Sequence, residues 1–323
     1  MTAGASTTLR EILARVLRNG FLWAPRRDSL RRVATALPPT RRVVARFVAG
    51  ETLDEAVETL RRLRAQGLHT TVDVLGESVA TQAAAHDAAD RYIEALAALA
   101  AGGLDANVSL KLTQMGLDVD RRLCRENVER ILACAASIGA FVRVDMEDHT
   151  RTEATLELVR ALRPQYPDMG VVVQAYLRRS AGDVERLIEE GARVRLCKGA
   201  YDEPPEHAFA TKAEVDASYV ALMERLLAAG TYPALATHDP QILARARAFA
   251  RQHAVGPERF EFQMLYGVRR DLQAQLVRDG YTVRIYVPYG REWYPYFMRR
   301  LAERPANVLF VTRSVLREGR GRT

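Results

Sequence analysis

The hydrophobic pattern alternates between two periods along the chain. From residue 70 onward, short runs rich in β-branched residues alternate with longer stretches whose apolar residues recur every three or four positions, as on one face of a helix. The short runs predict eight strands, at residues 70–75, 107–112, 141–146, 171–176, 193–197, 234–237, 260–265 and 283–287. The longer stretches predict helices at residues 53–66, 82–101, 122–138, 152–162, 181–190, 213–229, 240–253, 269–278 and 293–302.

Eight strands, each followed by a helix, have the size and order of a (βα)8 barrel. Some strands are continuous apolar runs, such as Val171-Val172-Val173, which is typical of a parallel sheet buried on both faces. A doubly wound sheet is the alternative, but no G-x-G-x-x-G motif follows any of the strands. We therefore predict a barrel domain over residues 51–323 and, before it, a helical arm over residues 1–50 that Pro38-Pro39 interrupts.

Composition narrows the class of protein. Of the 323 residues, 48% are hydrophobic and 27% are charged, which is typical of an ordinary globular protein. No run approaches the roughly 18 apolar residues of a membrane-spanning helix. The three cysteines form no C-x-x-C motif, which argues against a disulfide scaffold and a cysteine-based zinc site and suits a reducing cytoplasm.

The net charge of +7 is concentrated in the N-terminal arm. Residues 1–50 contain ten arginines, no lysine and two acids, a balance of +8, so the remaining residues sum to −1. A basic arm of this kind can be a helix packed on the barrel, a contact with anionic lipid, a targeting segment or a nucleic-acid contact. The nearly neutral body lacks the spread of basic residues that a nucleic-acid-binding domain needs.

Polar side chains stand at the end of every predicted strand, where (βα)8 barrels build their active sites. These residues are Glu77, Lys111, Asp145, Glu147, Asp148, Gln174, Arg195, Lys198, Thr237, His238, Gln263, Tyr266 and Tyr286. Charges of both signs in one barrel mouth predict a zwitterionic or polyanionic ligand, because buried charge is costly unless it is paired. The alternative is a ring of ion pairs that joins the loops.

The third strand ends in three carboxylates, Asp145, Glu147 and Asp148. They predict an acidic group that orients a cation, and the alternation of a strand puts Asp145 and Glu147 on one face. A cap on the following helix is the structural alternative. A divalent metal site with His149 or His238 is another, although no ligand spacing fixes it.

Two cationic groups suit an anionic ligand. Arg195 and Lys198 stand beside Gly199 at the end of the fifth strand, where a small residue lets an anion approach backbone amides. The last helix carries a stripe at helical spacing formed by Tyr296, Arg299, Arg300 and Glu303. Two arginine forks can clamp a carboxylate, and a solvated basic face is the alternative.

Nine motifs in chain order resemble the catalytic domain of flavin-dependent proline dehydrogenase of the monofunctional, bacterial type. They are LGE (75–77), SLKLTQMG (109–116), VDMED (144–148), QAYLRRS (174–180), VRLCKGAYDE (194–203), ATHD (236–239), FEFQMLYG (260–267), IYVPYG (285–290) and YFMRRLAERPAN (296–307). Each is weak by itself, but together they extend over nearly the whole predicted barrel and include every strand end.

The resemblance implies a distorted (βα)8 barrel that holds FAD at the carboxyl ends of its strands, with no Rossmann domain and no metal. The reaction it implies is oxidation of L-proline to Δ1-pyrroline-5-carboxylate, the first step of proline catabolism to glutamate. Hydride would pass to flavin N5, and electrons would continue to a membrane quinone. We expect a cytoplasmic enzyme with a peripheral contact at the inner face of the membrane.

A chain of this length with one barrel leaves no room for the aldehyde dehydrogenase domain of bifunctional relatives. The resemblance therefore implies that a separate pyrroline-5-carboxylate dehydrogenase consumes the product.

The resemblance also implies roles for single residues. Asp145, Arg195 and Lys111 would be catalytic, with Arg195 near flavin N5. Substrate would be bound by Lys111, by Tyr201 and Tyr286 beside the proline ring, by Arg299 and Arg300 on the carboxylate, and by Glu303 and Glu77, which position these arginines. Flavin would contact Met146, Gln174, Arg195, Lys198, Gly199, Ala200, Thr237 and His238.

Three other functions remain open at this point. A Schiff-base aldolase or lyase would use Lys111 or Lys198 as its amine nucleophile, which requires a desolvated lysine. A binding protein without catalysis would use the basic arm. Hydroxyproline or another cyclic imino acid would suit the same motifs as proline.

Overall fold

The barrel is assembled in chain order from parallel strands that each cross over through a helix. The structure is a computed structural model that describes residues 44–76 and 78–303. Its strands are His69–Val74 (β1), Asn107–Leu110 (β2), Phe141–Val144 (β3), Met169–Gln174 (β4), Arg193–Cys197 (β5), Ala234–Ala236 (β6), Glu261–Leu265 (β7) and Val283–Tyr289 (β8). Its helices are Leu53–Arg64 (α1), Gln82–Ala101 (α2), Arg121–Ser137 (α3), His149–Leu162 (α4), Ser180–Glu189 (α5), Lys212–Ala229 (α6), Pro240–Gln252 (α7), Arg270–Arg278 (α8) and Trp293–Glu303 (α9).

Each strand pairs in parallel with its neighbours in sequence, and β1 pairs with β8 to close the sheet. In the closing register Val72 lies opposite Val287. The predicted eight-stranded (βα)8 barrel is therefore confirmed. Short polar side chains begin several of its helices: Thr52 accepts from Glu55 N, and Asp239 accepts from Gln241 N just before Pro240.

The barrel departs from the regular pattern at its last helix. Helix α1 packs against β1 and β8 on the outside of the sheet, and α9 instead packs with residues 44–48 and Leu75. The rings of Phe47 and Phe297 lie 6.2 Å apart, and Trp293 donates to Glu51 at 3.0 Å. Helix α9 therefore lies beside the end of β1, near the mouth of the barrel.

Some charged side chains, such as Arg143 and Glu261, are buried in the interior of the barrel. Arg143 is fully buried, and its guanidinium donates to the carbonyl of Arg193 at 3.1 Å and lies over the ring of Phe141. Burial, with Arg195 as a further cause, holds the pKa of Arg143 well below its ordinary value. Glu261 accepts from Arg284 at 3.0 Å in the same interior. These buried side chains pair with each other and with backbone carbonyls.

Most of the predicted arm, residues 1–43, lies outside the described residues, so the domain boundary at residue 50 stays a prediction. Residues 44–50 are described, and they attach to the barrel through hydrogen bonds from Ala49 N to Pro288 O and from Gly290 N to Gly50 O, each 2.9 Å. In the part of the chain that the structure describes, no helix is long and apolar enough to cross a membrane.

Candidate active site

A cavity of about 710 Å³ occupies the mouth of the barrel. Each of the eight strands contributes a lining residue from its last four positions or from the position directly after it: Asp73, Lys111, Asp145, Gln174, Arg195, Ala236, Gln263 and Tyr286. A cavity of this volume is within the range in which proteins bind cofactors and other small molecules. All eight strands therefore contribute to one cavity.

The cavity brings together twelve of the residues to which the resemblance gives a role. They are Lys111, Asp145, Met146, Gln174, Arg195, Lys198, Gly199, Ala200, Tyr201, Thr237, His238 and Tyr286. Glu77 lies outside the described residues, as do the side chains of Arg299, Arg300 and Glu303, whose backbone belongs to α9. Tyr296 of the same helix lines the cavity, so α9 contributes to its wall.

Arg195 and Asp145 form a buried ion pair at the centre of the site. Arg195 Nη1 donates to Asp145 Oδ1 at 2.7 Å, and Nη2 donates to the hydroxyl of Ser109 at 2.9 Å. The guanidinium also lies over the ring of Tyr286, 5.2 Å from its centroid. Since both side chains are almost completely buried, this pair is little screened by solvent, and it fixes the direction of the arginine.

A second part of the same network leads from Asp145 to Asp73. The hydroxyl of Tyr286 donates to Asp145 Oδ2 at 2.8 Å and accepts from Lys111 Nζ at 3.4 Å. Lys111 also donates to Asp73 Oδ1 at 3.1 Å. Two cations and two carboxylates therefore balance each other at the bottom of the cavity.

Burial shapes the titration of this network. It raises the pKa of the Asp73 carboxyl above its ordinary value, although Lys111 opposes the shift. It also raises the pKa of Tyr286 well above its ordinary value, and the nearby Asp145 and Asp73 add to this shift. Tyr286 therefore remains a hydrogen-bond donor at neutral pH.

Lys198 stands on another wall of the cavity between two carboxylates. Its amine donates to Asp216 and, at 3.2 Å, to Asp239. Burial acts to raise the pKa of Asp216, but the hydrogen bonds from Lys198 and Lys212 outweigh it and hold that pKa below its ordinary value. The Schiff-base alternative required a desolvated lysine without charged neighbours, and both Lys111 and Lys198 instead lie within 3.2 Å of a carboxylate oxygen.

The alternative of a ring of ion pairs describes part of what the mouth contains. The pairs Arg195–Asp145, Lys111–Asp73 and Lys198–Asp239 join residues of different strands and loops. The same side chains line the cavity, so the pairing orients them without removing them from the site.

The three carboxylates after β3 have different surroundings. Asp145 lines the cavity, whereas Glu147 accepts from the backbone and the hydroxyl of Thr113 at 3.0 and 2.6 Å. The prediction that these two side chains share a face is wrong, because β3 ends at Val144 and the alternation of the strand ends with it. Asp148 caps α4 by accepting from Thr150 N at 3.0 Å, as the structural alternative held.

His238 and Cys197 also line the cavity. The backbone N–H of Leu265 donates to His238 Nε2 at 2.9 Å, which assigns the ring proton of neutral His238 to Nδ1. Desolvation raises the pKa of the Cys197 thiol to about 12, so this group offers the site no thiolate at neutral pH. Within residues 44–76 and 78–303, no group of three or more His, Cys, Asp and Glu side chains is arranged to hold a metal ion.

Known proteins match the chain along most of its length. The model of the family described as proline dehydrogenase matches residues 56–313. The chain belongs to the proline dehydrogenase family.

Relatives within the family match along most of the chain. Proline dehydrogenase 1 of Bacillus subtilis (strain 168) is 40% identical over 303 residues, which are 94% of this chain and all of that protein. Proline dehydrogenase of Deinococcus radiodurans is 43% identical over 277 residues, 84% of this chain and 89% of that one.

A solved structure of proline utilization A (PutA) from Bdellovibrio bacteriovorus, inactivated by N-propargylglycine, has a TM-score of 0.77 and 30% identity. The match covers 82% of this chain and 33% of the PutA chain.

Sequence reasoning missed several members of the site. Asp73, on β1, is the buried partner of Lys111, and the signal for it was an acid inside a β-branched run. Asp216 lies four residues after Lys212 on α6, a spacing that predicts an ion pair between these two residues. The spacing does not indicate that Asp216 also pairs with Lys198. Ser109, the partner of Arg195, stands in the motif SLKLTQMG, but the sequence assigned it no role.

Proposed function

We propose that this protein oxidises L-proline to Δ1-pyrroline-5-carboxylate with FAD bound in the barrel-mouth cavity. The observation that carries the proposal is the network of Asp73, Lys111, Asp145 and Arg195, in which charges of both signs line a single cavity. Proline is a small zwitterion, so its nitrogen suits the carboxylates and its carboxylate suits the cations. Family membership supports the same substrate.

The residues present suit a flavin. Among the buried side-chain atoms of the described residues, Arg195 Nε and Gln263 Oε1 have no hydrogen-bond partner, and both side chains line the cavity. A flavin ring carries carbonyl acceptors and an N–H donor that suit such atoms. The residues that would hold FAD are Met146, Gln174, Arg195, Lys198, Gly199, Ala200, Thr237 and His238.

Oxidation of proline removes a hydride from the ring carbon beside the nitrogen and a proton from the nitrogen. Bound FAD would supply the hydride acceptor. Asp145 and Ser109 fix the guanidinium of Arg195, which would hold a positive charge beside the flavin, where negative charge develops on reduction. The guanidinium would not have to reorient during the reaction. Both oxygens of Asp145 accept hydrogen bonds, from Arg195 and Tyr286, so its role is to orient these groups rather than to act as a strong base.

Lys111 and Tyr286 complete the substrate side of the site. The amine of Lys111 is held between Asp73 and the hydroxyl of Tyr286, so its charge is fixed in the cavity. Tyr286 and Tyr201 line the cavity and would flank the proline ring. On α9, Arg299 and Arg300 would bind the proline carboxylate, and Glu303 and Glu77 would position them.

Electrons would pass from the site to a membrane quinone, and a separate pyrroline-5-carboxylate dehydrogenase would take the product. We place the enzyme in the cytoplasm, with the basic arm as its peripheral contact with the inner face of the membrane. If deletion of residues 1–40 leaves binding to anionic vesicles intact, the arm has no such role.

The absorption spectrum of the purified protein before and after addition of L-proline tests the reaction. We expect a flavin band at about 450 nm that bleaches on addition of proline without oxygen. A protein that purifies with no flavin, takes up none and is trapped by borohydride with a carbonyl substrate would instead be a Schiff-base enzyme. The same titration with hydroxyproline determines which imino acid is preferred.

Replacing Arg299 by alanine tests the assignment of α9. We expect the Michaelis constant for proline to rise at least tenfold while flavin stays bound, because a bidentate guanidinium–carboxylate contact is lost. Steady-state kinetics together with the flavin absorbance measure both quantities. An unchanged Michaelis constant would remove Arg299 from the site.

A further inference from the structure

The loop between β5 and α6, residues 198–211, forms one wall of the cavity. Gly199, Ala200 and Tyr201, at its start, all line the cavity. The loop has no helix or strand of its own, so its position depends on contacts with neighbouring loops. Those contacts determine the shape of this side of the site.

The first set of contacts joins the loop to the turn after β4. The backbone N–H of Tyr176 donates to the carbonyl of Lys198 at 2.9 Å, and the N–H of Phe209 donates to the carbonyl of Tyr176 at 2.8 Å. Leu177 and Ala208 form an isolated antiparallel bridge beside them. Both ends of the loop are therefore attached to the same turn, and the residues between them need another anchor.

Glu203 supplies an anchor in the middle of the loop. Its side chain is 1% exposed, and its carboxylate accepts hydrogen bonds from the backbone N–H of His149 at 2.9 Å, from the Nδ1 of the same histidine, and from the hydroxyl of Tyr176 at 3.1 Å. The ring of His149 also stacks on His207 of the loop, with centroids 4.1 Å apart. We call Glu203, His149 and Tyr176 the Glu203 latch.

The latch connects three consecutive loops of the barrel mouth. His149 begins α4, directly after the segment that carries Asp145 and Met146, Tyr176 follows β4, and Glu203 follows β5. Tyr176 is also in close contact with Gly199, since a Cβ added there would lie 2.3 Å from its ring. The ring of Tyr176 that packs against Gly199 is therefore also fixed by the hydrogen bond from its hydroxyl to Glu203.

We infer that Glu203 is a positioning residue, which holds residues 199–201 in place so that they can bind flavin and proline. Glu203 does not line the cavity, so it acts through the loop rather than on the ligands. The identity of the ligands, flavin and proline, rests on the proposed function. The attachment of the loop by Glu203 does not depend on that function.

The energetics favour a strong anchor. A buried carboxylate that accepts several hydrogen bonds makes charge-assisted contacts, which are roughly twice as strong as neutral ones. Its removal leaves the partly buried donors of His149 and Tyr176 without this acceptor, which is costly. Burial, with Glu203 as a further cause, raises the pKa of Tyr176, so its hydroxyl remains a donor.

Three variants test the latch in the full-length flavin-loaded protein. We expect Glu203→Ala to release flavin at least tenfold faster and to raise the Michaelis constant for proline at least fivefold, with the turnover number at saturating flavin and proline within threefold. We expect the flavin release rate, the Michaelis constant and the turnover number of Glu203→Gln to stay within threefold of the wild type. The glutamine oxygen can accept from His149 N and Tyr176, and its NH2 group can donate to Nδ1 once His149 changes tautomer. The control is Glu185→Ala, which removes an exposed pair with Arg225 on the outer helices and should change none of them.

Limited proteolysis reports on the loop independently of catalysis. Chymotrypsin cleavage after Tyr201 or Phe209, followed by mass spectrometry, should be at least tenfold faster in Glu203→Ala than in Glu203→Gln or the wild type. If Glu203→Ala does not fold, Tyr176→Phe removes one donor alone and should show the same changes, each about twofold to fivefold.

Wild-type rates of flavin release and of loop cleavage in the foldable variants would overturn the inference. A wild-type protein that neither binds flavin nor oxidises proline would overturn the proposed function instead, and the proteolysis would still decide whether the latch holds the loop.

Discussion

Replacing Asp145 by alanine is expected to lower kcat/KM for proline about 100-fold or more and the free energy of unfolding by about 3–5 kcal/mol. Asp145 accepts from Arg195 at 2.7 Å and from Tyr286 at 2.8 Å, and Lys111 lies 3.8 Å away. Its loss leaves a buried arginine without its carboxylate and lets the guanidinium turn away from its fixed direction. Steady-state kinetics and urea denaturation measure the two effects.

The matched control is Asp118→Ala. Asp118 pairs with Arg151 at 2.7 Å but is 40% exposed, so its loss should lower the free energy of unfolding by no more than about 1 kcal/mol and leave catalysis unchanged. Asp145→Asn removes the negative charge but keeps the shape of the side chain, and its amide oxygen can still accept from Arg195. If Asp145→Ala kept wild-type kinetics, the Asp145–Arg195 pair would be structural only.

Replacing Gly199 by alanine is expected to weaken flavin binding about tenfold or more. Gly199 has a φ of +115°, a conformation that alanine adopts only with strain, and the added Cβ would lie 2.3 Å from Cδ1 of Tyr176. Relief of the clash requires a shift of the backbone that lines the cavity. A strained residue of this kind costs about 1–3 kcal/mol, and each 1.4 kcal/mol is about tenfold in affinity. Flavin dissociation followed by fluorescence measures the effect.

Gly182→Ala is the control for this change. Gly182 lies within α5 on the exposed outside of the barrel, and a Cβ there would have no atom within 4 Å. Alanine favours a helix more than glycine does, by about 1 kcal/mol, so this variant should be slightly more stable and bind flavin normally. Equal flavin affinity of the two variants would contradict the close packing of Gly199 against Tyr176.

The order of elements was readable from the sequence because each strand and helix has its own period of apolar residues. The predicted helix at 82–101 has the bounds of α2, and the predicted strand at 193–197 has those of β5. Predicted strands ended one or two residues late where a buried residue follows the end of the strand, as at Leu75 and Met146. Burial continues the apolar pattern past the point where the strand ends.

The members of the site were predicted to different extents. Lys111, Asp145 and Arg195 were predicted because they lie among the last three residues of a strand or directly after it, and parallel strands in a closed barrel bring those positions together. The pairing of the charged residues was not predicted. Lys198, in the loop after β5, donates to Asp216 on α6 and to Asp239 before α7, and these contacts depend on how the loops fold over the end of the sheet. The Glu203 latch likewise joins residues 54 positions apart.

By itself, the sequence determined the (βα)8 architecture and the family and predicted the place of the candidate site, since periodicity and strand-end chemistry are local properties of the chain. Only the tertiary structure decided which charges neutralise each other, that Glu147 faces Thr113 instead of the cavity, and which carboxylate anchors the 198–211 loop. Contacts between separate loops depend on distance in space, and a linear pattern does not encode which of the chain's 40 acids meets which of its 47 bases.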